Sequence, residues 1–156
     1  MATPTVKPWT PAQERLGSVV IRYMSRANKW IYRATGGRLG GKFFGAPVMF
    51  LTTIGRKSGE PRTVPLLGLA EGDTLVTVAS KGGMSHHPMW YRNLTANPAV
   101  EVEFEGRKRA MTARTATPEE KRAWWPKLVA MYPDYAAYQA RTERDIPVVI
   151  LTPRAS

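Results

Sequence analysis

Residues 99–106 read Ala-Val-Glu-Val-Glu-Phe-Glu-Gly, and from Val100 apolar and acidic side chains alternate strictly until a glycine ends the run. A repeat of two is the period of a β-strand, so Val100, Val102 and Phe104 turn to a core while Glu101, Glu103 and Glu105 face water. The next run, "RKRAMTARTA", pairs back after Gly106 and sets its basic residues against the glutamate row across a hairpin. The chain must therefore build a sheet that is wet on one side here.

Other runs supply partners for that hairpin. "PVMFLTTIG", "TVPLLGLA" and "TLVTVAS" are β-rich and are separated by "GRKSGEPR" and by Glu71-Gly72-Asp73, which reads as a meander. Pro65 within the second run places part of that strand at an edge or a bulge. "IPVVILTP" closes the chain as a last strand.

Helix signals fall between the strands. Thr117 as N-cap, Pro118 at the first helical position and Glu120 reaching back form a capping box. A second short helix follows with Asp134 as its cap, and His87 to Asn97 reads as another, with Pro88 in its first turn and Asn97-Pro98 at its end. From Pro11 to Ala34, apolar positions such as Leu16, Val19, Tyr23, Trp30 and Ile31 recur at three and four, opposite Arg15, Arg22, Arg26, Lys29 and Arg33. This basic amphipathic helix packs its stripe on its own domain or lies on a membrane, and "TGGRLGGKFFGAP" follows it as a loop. About six mostly antiparallel strands without βαβ repeats predict a mainly β, α+β domain, a small barrel with flanking helices. Residues 1–35 are then a lead-in and basic helix and 36–156 the barrel, within one globular domain.

Composition narrows the function. The chain has no cysteine, which removes thiol nucleophiles and zinc-thiolate sites and suits a reducing cytoplasm. Its two histidines, His86 and His87, are adjacent and lack the spacing of a metal site, so no metal is expected. Of a net charge of +11, residues 1–62 carry +9 through eleven Lys or Arg against Glu14 and Glu60. That part is the face for an anionic partner: a phosphorylated cofactor, anionic lipid or nucleic acid. An aromatic platform for bases is missing among these basic positions, which disfavours RNA. Neither a GxGxxG nor a Walker motif occurs.

Three groups of residues carry chemistry. Arg56, Lys57 and Arg62 flank a turn whose small residues leave N–H groups to meet an anion, although charged hairpin tips are commonly just solvated. Lys81-Gly82-Gly83 follows a strand end beside Ser80, where glycine lets backbone approach a ligand, or simply makes a flexible loop. Tyr132, Tyr135 and Tyr138 recur every third residue and share one helical face; that is a core stripe, or a set of hydroxyls with polar partners.

"TTIGRKSGEPRTVPLL", "VASKGGMSHHPMWYRNLTANP" and "MYPDYAAYQARTERDIPVVIL", in this order, resemble the deazaflavin-dependent nitroreductase and quinone reductase family of actinobacteria. The resemblance implies a flavin-reductase-like split β-barrel that uses coenzyme F420, an 8-hydroxy-5-deazaflavin with a phosphate and an oligoglutamate tail. It implies that Arg56, Lys57 and Arg62 meet phosphate or carboxylates, that Thr63 and Pro65 border the ring, and that Ser80, Lys81 and Gly82 line the site with Trp90, Tyr91 and Asn93 as its wall. Hydride would pass to an electron-poor conjugated acceptor, a quinone, enone or nitroaromatic, with Tyr132, Tyr135 and Tyr138 along the acceptor pocket and Ser80 or a tyrosine polarising its carbonyl. The alternatives are an FMN enzyme on the same barrel and a non-catalytic basic module for RNA or anionic membrane.

Overall fold

A computed structural model describes residues 7–16, 42–43 and 46–154. Residues 11–16 form the helix α1, the first part of the expected basic helix; its remainder lies outside the described residues. The strands are β1 (Lys42–Phe43), β2 (Ala46–Ile54), β3 (Pro61–Leu67), β4 (Leu69–Glu71), β5 (Thr74–Val78), β6 (Ala99–Phe104), β7 (Arg107–Thr115) and β8 (Val148–Pro153). The helices after α1 are α2 (Met89–Ala96), α3 (Pro118–Met131) and α4 (Asp134–Arg141).

Each strand pairing is antiparallel, and the ladder runs β1-β2-β6-β7-β8-β5-β4, with β3 on β2. The strand expected over 63–70 is broken at Gly68: its first half pairs β2, with Pro65 opposite Phe50, and its second half pairs β5, with Leu69 opposite Val76. β3, beside β2, and β4, at the far end of the ladder, are therefore one run of chain, and the sheet curls toward a split barrel without closing. Gly68 stands at the bend, where a Cβ would lie 3.0 Å from the Met49 sulfur, and its N–H donates to the Pro47 carbonyl at 3.0 Å. Across the seam, the Thr77 hydroxyl donates to the Leu67 carbonyl at 2.7 Å. Pro65 costs no ladder bond because β3 pairs on one side only among the described residues. The short pairing of Lys42 with Pro47 adds β1 where a loop was expected.

Two apolar layers result. Inside the barrel, Met49, Leu51, Leu75, Val102, Phe104, Met111, Val149 and Leu151 pack with Trp90 and Leu94 of α2. Outside, Val76, Val78, Val148 and Ile150 pack against Leu128 of α3 and against Tyr132 and Tyr135. Alternate residues of β5 and β8 thus serve two cores, so these strands read as unbroken apolar runs. On β6, Val100, Val102 and Phe104 are buried and Glu101 is exposed, as its alternation requires. The register sets Glu103 opposite Lys108 but Glu101 opposite Ala110, so the basic row meets the acidic row only in part.

The capping box of α3 is present: Glu120 N–H donates to Thr117 Oγ1 at 3.2 Å and Thr117 N–H donates to Glu120 Oε1 at 3.0 Å. At α4 the cap position falls on Pro133 and Asp134 is the first helical residue, a correction to the expected cap. A carboxylate in a first turn still suits the positive end of the helix dipole.

Candidate active site

The β2–β3 turn is a rigid tip. Gly55 N–H donates to the Glu60 carbonyl and Gly59 N–H to the Gly55 carbonyl, each at 2.8 Å, and Gly59 takes φ +70°. Arg56 and Lys57 are exposed there, and Arg62 stands 3.6 Å from an equally exposed Glu60. Side chains alternate along β3, so Thr63 and Pro65 lie on the opposite face from Arg62. The Thr63 hydroxyl meets that of Thr52 at 2.7 Å.

Asn93 of α2 holds this tip. Its Oδ1 accepts the Arg56 N–H at 3.1 Å and its Nδ2 donates to Thr53 Oγ1 at 3.2 Å, with both side chains buried. The structure therefore places Asn93 behind the basic turn as a bracket. Trp90, one turn earlier, sits in the barrel core, and the Tyr91 hydroxyl is 2.8 Å from that of Thr115.

The second element is the loop after β5. Ser80 is right-handed (φ −79°, ψ −37°), and Lys81, Gly82 and Gly83 follow with φ of +45°, +63° and +79°. A right-handed residue followed by left-handed ones turns successive N–H groups to one side, an arrangement suited to an anion. Its two glycines differ. Beside Gly82 a Cβ would meet nothing within 4 Å, whereas at Gly83 it would lie 2.5 Å from the Tyr138 carbonyl oxygen of α4. Gly82 leaves backbone open to a ligand; Gly83 is needed for helix packing.

Arg144 clamps the same loop from below. Its Nε donates to the Met84 carbonyl at 2.8 Å, Nη2 to the Ser80 carbonyl at 2.7 Å, both Nη atoms to the Ala79 carbonyl at 3.3 Å, and Nη1 meets His87 Nδ1 at 3.0 Å. Burial, with the charges of Arg144 and Arg92, holds His87 below its usual range, so the neutral ring accepts that bond. Lys81 is likewise lowered, by burial first and then by Arg92 and Arg144, against an opposing pull from Glu14.

From the other side, Trp9 Nε1 donates to the Gly82 carbonyl at 2.6 Å, and Arg141 stacks over the Trp9 ring at 4.7 Å. The Glu14 carboxylate accepts the Ser85 N–H at 2.6 Å and its hydroxyl at 3.0 Å.

The tyrosines meet in one cluster. Ring centroids of Tyr132, Tyr135 and Tyr138 are 5.1–6.3 Å apart, and the Tyr132 and Tyr138 hydroxyls are 3.2 Å apart. Tyr132 and Tyr135 are buried, and burial first of all pushes both phenols well above their ordinary range. They are neutral hydrogen-bonding groups at physiological pH, and Tyr138 joins them to the glycine loop through its backbone at Gly83.

Helix α2 links the two elements. His87, just before it, packs on Tyr91 with centroids 4.9 Å apart and touches Arg144, and Asn93, about 6 Å along the axis from the first helical residue Met89, reaches Arg56. The basic tip and the left-handed loop thus flank one short helix. Trp9, Glu14, His87 and Arg144 carry no local signal of these contacts, because their partners are tens of residues away.

Donor chemistry here suits a flat ligand with an anionic tail. Guanidinium and ammonium groups stand at the tip, Lys81 and Gly82 carry the left-handed backbone that suits an anion, and among the described residues nothing lies within 4 Å of a Cβ at Gly82. A split barrel with this strand order is of the flavin-reductase-like class. Within that class, the F420H(2)-dependent quinone reductase family matches residues 24–153. The F420H(2)-dependent quinone reductase Rv1261c of Mycobacterium tuberculosis is 41% identical over 133 residues, 83% of this chain and 89% of that protein. Among solved structures, an F420-H2 dependent reductase, FDR-A, is 45% identical with a TM-score of 0.63 over 67% of this chain and 93% of that one. A domain-swapped dimer is 39% identical with a TM-score of 0.65 over 80% and 98%. The chain belongs to the F420H(2)-dependent quinone reductase family, oxidoreductases whose cofactor is coenzyme F420.

Proposed function

We propose that this chain reduces quinones with F420H2, holding the cofactor between the basic β2–β3 tip and the Ser80–Gly82 backbone. The single observation that carries this reading is the family match over residues 24–153, which spans both elements. When bound, the reduced deazaflavin supplies a hydride, two electrons in one transfer, to a conjugated acceptor. Arg56, Lys57 and Arg62 neutralise the phosphate and tail carboxylates, while Asn93 fixes the backbone that carries Arg56. Thr63 and Pro65 lie along the unpaired edge of β3, where a ring can rest without displacing a ladder bond. Trp90 and Tyr91 stiffen the helix that separates tip from loop.

The acceptor lies toward the tyrosine cluster. A hydroxyl of Ser80 or Tyr138 polarises its carbonyl, and water supplies the proton, since the raised phenols of Tyr132 and Tyr135 release theirs poorly. Enones and nitroaromatics share the electron-poor conjugation that this chemistry needs. Mixing F420H2 with a soluble quinone and following the return of oxidised-deazaflavin absorbance tests the activity; no turnover above the uncatalysed rate would reject it.

A lipid-soluble quinone and the basic residues Arg15, Arg22, Arg26, Lys29 and Arg33, which the helical period of the sequence sets opposite its apolar positions, together favour the cytoplasmic surface of an anionic membrane as the place of work. No described helix is long and apolar enough to cross a membrane. Flotation with anionic and neutral vesicles tests this contact, and equal recovery with both would dismiss it.

A further inference from the structure

We infer that Arg144 is a positioning residue for cofactor binding, its guanidinium setting the shape of the Ala79–His87 loop so that Ser80, Lys81 and Gly82 face the cleft. The inference rests on the proposal that this backbone borders the deazaflavin.

The loop cannot hold itself. Three successive residues with positive φ, one of them the non-glycine Lys81, form a segment that persists only where its surroundings over-determine it. The carbonyls of Ala79, Ser80 and Met84, on either side of these left-handed residues, find donors outside the loop. Backbone bonds that close the turn on itself run from Gly83 N–H to the Ser80 carbonyl at 2.9 Å and from Met84 N–H to the Lys81 carbonyl at 3.1 Å. Arg144 supplies five contacts to Ala79, Ser80, Met84 and His87, at both ends of the turn.

Only a planar fork of five N–H groups can reach these acceptors together. Those partners are three carbonyls and a neutral imidazole, so none of the five contacts cancels the guanidinium charge. Arg144 thus does two separable things, shaping the loop and placing positive charge behind it. A lysine keeps the charge and loses the fork.

Arg144→Lys in the full chain separates the two roles. Oxidised F420 is titrated by its fluorescence well below the melting temperature, beside hydrogen exchange of the Gly83 and Met84 amides. The inference predicts at least tenfold weaker binding, an unchanged salt slope and faster exchange at those amides. Faster exchange with a dissociation constant within twofold of the natural protein would overturn it, leaving Arg144 a support of the fold alone. If that variant does not fold, His87→Phe removes one acceptor yet keeps a ring against Tyr91: threefold or greater weakening supports the inference, and unchanged binding overturns it. A natural protein that binds no F420 at all refutes the cofactor reading before any variant is made, and the inference falls with it.

Discussion

Gly83 lies so close to Tyr138 that a methyl group on its α-carbon would stand 2.5 Å from the Tyr138 carbonyl oxygen and 2.9 Å from its Cα. Both atoms are backbone, so neither can swing aside. Gly83→Ala must displace α4 or the loop, losing about 1–2 kcal/mol for the left-handed conformation and a further 1–3 kcal/mol for the overlap. Gly82→Ala faces open space and should lose only the first amount, yet it puts a methyl group where the ligand approaches. Denaturant melts should rank Gly83→Ala as the less stable, and F420 titration should show the weaker binding for a folded Gly82→Ala.

Asn93→Ala should strip the support from the basic tip. The Arg56 N–H and the buried Thr53 hydroxyl would each lose a partner, costing about 1–3 kcal/mol. A reduced midpoint in urea checks this. Weaker F420 binding in the surviving folded protein checks the link to the site.

The tyrosine cluster gives opposite results for its members. Tyr135 is 4% exposed, so Tyr135→Phe should keep fold and activity while Tyr135→Ala costs about 3–5 kcal/mol through the cavity it leaves. Tyr138→Phe removes the hydroxyl that meets that of Tyr132 and should slow quinone reduction with F420 affinity intact. Steady-state rates beside melting temperatures distinguish these; full activity in Tyr138→Phe would leave Ser80 as the polarising hydroxyl.

His87 sets an acid limit on stability. Its folded-state affinity for protons is lowered by burial, Arg144 and Arg92, so the unfolded chain takes up a proton first. Stability contributed by the neutral ring is complete above the unfolded value of about 6.5 and is lost as pH falls through the lower folded value. His87→Asn should flatten this part of the stability profile measured from pH 7.5 to 5.

Much of the fold is legible because its signals are local. The Val-Glu-Val-Glu-Phe alternation gives β6 and its register face, and Thr117 with Glu120 gives the start of α3 from four residues. The break at Gly68 is hidden because "LLGLA" reads as one strand, and only the contact with Met49 and the change of partner from β2 to β5 reveal it. The site is less legible for the same reason. Arg56 and Gly82 are marked by charge and by a glycine after a strand, whereas the work of Asn93 and Arg144 consists of hydrogen bonds spanning 37 to 65 positions. "WYRN" reads as a wall of rings and an amide, yet Trp90 fills the barrel and Asn93 turns inward to hold the tip.

The basic tip is the centre of the account, and the choice between cofactors tests it most directly. If Arg56, Lys57 and Arg62 hold the cofactor's tail as proposed, the oligoglutamate of F420 offers them carboxylates that the single phosphate of FMN does not. Arg62 is 59% exposed, so Arg62→Ala should cost only about 1 kcal/mol of F420 binding, and less in high salt. Titrating the purified protein with F420 and with FMN at low and high salt should give tighter binding of F420 and a margin that narrows as salt rises. FMN binding as tight as F420, or a preference for F420 indifferent to salt, would contradict the account.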